Sequence, residues 1–251
     1  MSDNSKNQQK ENKPKLEGWL FIFSLNYAFW HLIVAFLNFE IKNKFMVAEL
    51  FDLFTPFVMT FLIVKLYTVL KPMLKQGKKT FQIISRILII LGIIFFIEGH
   101  GMHLSANAIT RHLVGQEGSP LFSLTYFFDE ILGHLLWDCG FVIMSIAFLI
   151  MAFSDRTERP TYSWALITVS SLLYGFTTFC LAVEGQTVLF TLPVSILIPA
   201  VVWFLIRLRR ITWKHPVVVF FLFSYIFSFS LFVYWFIRNN GFPEFSELGW
   251  I

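Results

Sequence analysis

Cysteine is scarce in this chain of 251 residues: there are two, Cys139 and Cys180, both inside apolar runs. That excludes a disulfide framework and any CxxC metal or redox motif. Charge is scarce as well, at 14% of residues against 56% hydrophobic, which excludes an ordinary soluble composition. Strict polar–apolar alternation is missing, because the apolar runs are continuous, and this excludes a porin-like barrel. The stretch MSDNSKNQQKENKPK has no aromatic residue and is expected to be disordered. No cleavable signal peptide is evident, since the first apolar run is too long for a signal segment and reads as an uncleaved span.

What is there is overwhelmingly apolar. Phe alone occurs 32 times, which suits a lipid-facing surface. Seven runs are long enough to cross a hydrocarbon layer: 18–39, 46–70, 81–103, 122–153, 162–183, 187–207 and 216–238. The expected fold is all-α, a seven-helix transmembrane bundle over 16–240 with tails at 1–15 and 241–251. The net charge of +4 does not point to nucleic acid, because Lys and Arg sit in short loops beside the spans. Fourteen of them fall on the side of the N-terminal tail and of the loops after spans two, four and six. Four (Lys42, Lys44, Arg111 and Arg238) fall on the other. The positive-inside rule then makes the N-terminus cytoplasmic and the C-terminus extracytoplasmic. The expected location is a plasma or inner membrane, or an organelle membrane in a eukaryote.

Helical rise sets the depth of each polar residue. His100 and His103 on span three come level with Glu130 and His134 on span four, near the outer boundary. Glu49, Asp52 and Glu184 reach the same height, and Asp138 and His31 lie deeper. The cytoplasmic halves differ. Residues 139–153 hold no ionisable group, and 83–97 hold only Arg86. Ionisable groups at membrane depth are expensive, so their concentration at one level marks a functional site.

His100 and His103 are one turn apart and share a face with Asn107. Two such histidines can bind a transition metal or zinc. Glu130, His134 and Asp138 form a drifting stripe at i, i+4 and i+8. The expected metal ligands are His100, His103, His134 and Glu130, with Glu130 or Asp138 as general base. Glu98, Asn107, Asp129, Glu49 and Asp52 are expected to support the ligands from behind. Asp129, about 100° round the helix from Glu130, alternatively faces outer water or the C-terminal tail. His31, isolated near Asn26, reads as a hydrogen-bonded structural histidine.

The leading functional expectation is a metal-dependent membrane hydrolase. Zinc is its first cofactor, with iron or copper as others, and it acts on membrane lipid or another apolar small molecule. The alternatives are a metal-ion or proton transporter, a haem or copper redox protein, and a metal-free proton or hydrogen-bond network. A transporter would need polar groups continuing across the bilayer, which spans three and four lack, although span five offers Ser170, Ser171, Thr177 and Thr178. A retinal photoreceptor is disfavoured, because span seven has no lysine for a Schiff base. Seven spans with His and Asp near one face loosely resemble the membrane hydrolases that include alkaline ceramidases and progestin-adiponectin-type receptors. That group carries paired histidines on its last span, whereas PVVVFFLFSYIFSFSLFVYWFIR has none, so no residue role is carried over. Nothing in the sequence indicates an oligomeric state.

Overall fold

The computed structural model describes residues 16–42, 45–74, 79–154, 162–209 and 215–250. The polar tail 1–15 lies outside them, as do Lys44, Lys75, Lys78, Arg156, Arg159, Arg210 and Lys214 of the charge count.

Helix α1 (Leu16–Leu32) is extended by a 3-10 turn (Ile33–Phe36). A small antiparallel hairpin follows, β1 (Glu40–Lys42) with β2 (Phe45–Met46), in the register Glu40 to Met46 and Lys42 to Phe45. This exposed hairpin is the one departure from an all-helical chain among the described residues. Then come α2 (Val47–Leu74) and α3 (Lys79–Thr110). The fourth crossing is composite: α4 (Pro120–Tyr126), a π-helical segment (Phe127–Gly133) and α5 (His134–Ser154). Helices α6 (Trp164–Glu184), α7 (Val188–Arg209) and α8 (Pro216–Asn239) complete the bundle. Seven helices are long and apolar enough to cross a membrane, as the hydropathy pattern anticipates. Helices α2 and α7 run on through Pro56, Pro193 and Pro199.

The packing of α3 on the fourth crossing is the most extensive in the bundle, and glycines explain it. A Cβ on Gly140 would lie 3.0 Å from the Phe96 Cβ. One on Gly133 would lie 3.2 Å from the Gly99 carbonyl oxygen and 3.1 Å from the His103 nitrogen. Gly92 and Gly99 on α3 thus oppose Gly140 and Gly133, and the backbones approach as small residues allow between membrane helices. His100, His103, His134 and Trp137 ride on this contact. The core between the helices holds Tyr27, Met59, Phe96, Phe148, Phe220 and Phe221, all essentially buried.

Two boundaries differ from the hydropathy reading. Helix α3 continues past His103 to Thr110, so that histidine lies two turns inside the helix. The extra turns are polar but not wasted. Asn107 faces a cavity, and Arg111 just beyond forms an ion pair with Glu49 at 3.2 Å. The C-terminal segment is docked on the bundle. Asn240 adopts a left-handed conformation (φ 54°) at the end of α8 and turns the chain back. The Glu184 carboxylate accepts hydrogen bonds from the backbone N–H of Phe245 (2.8 Å) and Ser246 (3.3 Å). Trp235 Nε1–H donates to the Pro243 carbonyl at 3.0 Å, and Phe245 packs on Trp235.

Candidate functional site

At the C-terminal end of the bundle the helices diverge around a cavity of about 740 Å³. Most of its wall is apolar, including Leu32, Phe176, Phe179 and Leu231. Its polar groups gather on the wall built by α2, α3 and the fourth crossing: Asp52, His103, Asn107, Glu130 and His134. A second polar rim comes from Glu184, Arg238 and Glu244 beside the docked tail.

Four imidazoles surround a single indole. The ring of Trp137 lies 4.6 Å from His100, 4.8 Å from His31, 5.5 Å from His134 and 6.2 Å from His103, centroid to centroid. His103 and His134 are the nearest imidazole pair, at 4.5 Å. His103 Nδ1 lies 2.7 Å from the Asp129 carboxylate, and Asp129 is buried. Asp129 and Glu130 both lie in the π-helical segment, and from it Asp129 meets His103 while Glu130 lines the cavity. Glu130 lies 3.7 Å from His134 Nε2. Gly185 abuts the far side of the His134 ring, where a Cβ would come within 2.6 Å of the His134 Cγ.

The remaining expected site residues are placed as follows. His100 is fully buried, and its Nε2 is 2.8 Å from the Asp52 carbonyl oxygen. The Asp52 carboxylate stands 3.8 Å from the same nitrogen and also lines the cavity. Glu49 accepts a hydrogen bond from the Met46 backbone N–H at 2.8 Å, three residues back, so it closes the first turn of α2 as well as pairing Arg111. Asp138 is not beside Glu130. It accepts hydrogen bonds from Thr187 and Thr191 (3.2 Å for the latter) in a separate small space with Tyr27, Tyr174 and Tyr225. Glu98 is exposed and does not line the cavity. Among the described residues, no group of three or more His, Cys, Asp or Glu side chains is placed to hold a metal ion. The indole of Trp137 sits among the imidazoles, and His100 and His103 each hold a protein partner instead.

Two residues that the sequence reading left aside belong here. His31, set down as structural, and Trp137, silent in an apolar run, both line the cavity. The one available signal was that His31, though deeper than the other histidines, lies in the same outer half of the bundle.

No protein-family model, no curated protein and no solved structure matches this chain. Function must therefore be argued from the cavity itself.

Outside the spans, Glu244 is the titrating group nearest the cavity. Burial raises its carboxyl above the usual range. Glu184 and Glu247 add to this, while hydrogen bonds from Gln186 and Ser246 oppose it. Gln186, at φ 53° in the turn between α6 and α7, donates to both Glu244 and the Tyr126 hydroxyl, tying tail, turn and fourth crossing together.

Proposed function

We propose that this protein is a membrane-embedded acid–base enzyme, a hydrolase of an amphiphilic, lipid-like substrate whose chain occupies the apolar part of the cavity. The observation that carries the reading is the 2.7 Å contact between His103 Nδ1 and Asp129 on the wall of a 740 Å³ apolar cavity. A carboxylate on Nδ1–H holds the imidazole with Nε2 as a lone pair, the arrangement a general base needs. His103 takes a proton from water, the water oxygen bonds to the substrate's electrophilic carbon, and the leaving oxygen collects a proton from Glu130 or His134. The cavity volume falls in the range of small-molecule sites, with few polar groups among many apolar ones. The opposite half of the bundle is packed with Met144, Ala147, Phe148 and Met151, which favours chemistry over passage through the bundle. Together with the charge distribution, the reading puts the reaction on the extracytoplasmic side.

The test uses the full chain in nanodiscs, incubated with a total membrane lipid extract and with p-nitrophenyl palmitate, products being followed by mass spectrometry and absorbance. Turnover is expected to fall by about 10²- to 10⁴-fold in His103→Gln and Asp129→Asn. The exposed His112→Gln variant should match the parent. Undiminished turnover in folded His103→Gln protein would overturn the reading.

A further inference from the structure

The reading above uses His103, Asp129, Glu130 and His134, and leaves a second histidine cluster without a role. His31 and His100 lie 6.1 Å apart, ring to ring, and both pack on Trp137 at 4.8 and 4.6 Å. All three side chains are more than nine-tenths buried. Backbone chemistry fixes their proton positions. His31 Nδ1 lies 2.8 Å from the Tyr27 carbonyl oxygen, and His100 Nε2 lies 2.8 Å from the Asp52 carbonyl oxygen. A carbonyl only accepts, so each of those nitrogens carries the hydrogen. The other nitrogen of each ring is then a bare lone pair. His31 Nε2 and His100 Nδ1 are buried and meet no hydrogen-bonding group among the described residues. Trp137 Nε1, which can only donate, is in the same state.

Two buried acceptors and one buried donor in one cluster are costly unless a ligand answers them, because each such group loses its hydration. His31 and Trp137 also line the cavity, and His100, fully buried, lies directly behind them in contact with both rings. We propose that His31, His100 and Trp137 form the headgroup subsite of the cavity, taking a hydroxyl-rich end with two O–H donors and an oxygen acceptor, the diol of a glycerol-type amphiphile. One hydroxyl donates to His31 Nε2, the other to His100 Nδ1, and one oxygen accepts from Trp137 Nε1–H. This deepens the hydrolase reading and rests on it, since it assumes that an amphiphile enters the cavity. It places the headgroup against α1, α3 and α5, across the imidazole cluster from the tail rim. Water offers the same hydrogens and is the competing occupant.

The experiment is indole ¹H–¹⁵N NMR on the full chain in nanodiscs, with Trp137 and Trp235 assigned through their Phe variants. Trp235 lines the cavity but donates to Pro243, so it reports chain entry alone. The probes are 1-O-dodecylglycerol, which cannot be hydrolysed at its ether, and dodecane. The expected result is that both probes shift Trp235, and that only the glyceryl ether moves the Trp137 N–H downfield. His100→Phe should lose the Trp137 response and keep that of Trp235. If Trp235 responds to both probes while Trp137 responds to neither or equally to both, the subsite is overturned and water is its occupant. The cavity reading would survive that result. If neither indole responds to either probe, both readings fall.

Discussion

Trp137 shows how a residue with no chemistry of its own can organise a site. Its indole contacts four histidine rings drawn from α1, α3 and its own helix. From the sequence it is one more aromatic in an apolar run, so periodicity could not single it out. Asp138 went the other way. Its spacing from Glu130 and His134 suggested a shared role, yet the threonines of the α6–α7 turn and α7 claim its carboxylate. Those partners come from another span, and single-helix spacing cannot show them. Glu244 carries the prediction at this scale. A docked tail holds the Glu244 proton more tightly than a free one, because its folded value is raised mainly by burial. Docking should therefore be firmest at and below the ordinary glutamate range. It should weaken as pH climbs from that range through the raised value. Hydrogen-exchange protection of residues 242–250, corrected for the intrinsic rate, is expected to decline across that window and to flatten in Glu244→Gln. Protection that rises with pH would reverse the sign.

At the scale of elements, the decisive device is the glycine-lined contact between α3 and the fourth crossing, with the π-helical segment at its end. The rise per residue anticipated that the third and fourth spans meet at the level of their histidines, as the His103–His134 contact shows. It could not reveal the π turn over Phe127–Gly133, because a uniform rise per residue assumes a regular α-helix. Asp129 is accordingly expected either to support a ligand from behind or to face outer water or the C-terminal tail, and it meets His103. Gly99 and Gly101 separate the two roles a glycine can have. A Cβ on Gly99 would lie 3.0 Å from the Leu136 Cβ and closer still to neighbouring backbone, whereas Gly101 has open space. Gly99→Ala is expected to destabilise the protein by about 1–3 kcal/mol, as overpacking does. It should also pull His103 from His134 and lower turnover. Gly101→Ala should leave both unchanged. Thermal unfolding in detergent, scored beside the turnover assay, checks the pair, and equal behaviour of the two variants would refute the account.

Across the whole molecule the chain is polarised along the membrane normal. One half is a packed helical core, and the other holds the cavity with most of its histidines and acids. This division was legible in the sequence because desolvation makes buried charge rare enough to count. The docking of the C-terminal segment rests on Glu184 and Trp235, which meet it once the chain turns back at Asn240. The expected orientation, with the cavity on the extracytoplasmic side, rests on the lysine and arginine distribution and has a direct readout. In a background with Cys139 and Cys180 changed to Ala, a Gly118→Cys protein should react with a membrane-impermeant maleimide in intact cells. A Lys79→Cys protein should react only after permeabilisation. Both positions are exposed, and the opposite pattern would invert the topology.

The docked C-terminal segment has a practical consequence. Trp250 leans on Trp235 at 5.2 Å and lies beneath the Arg238 guanidinium at 5.7 Å, and all three belong to the cavity wall. An affinity handle or fluorescent fusion joined there would hang its drag from that wall. Purification and imaging are better served by a handle at the opposite terminus.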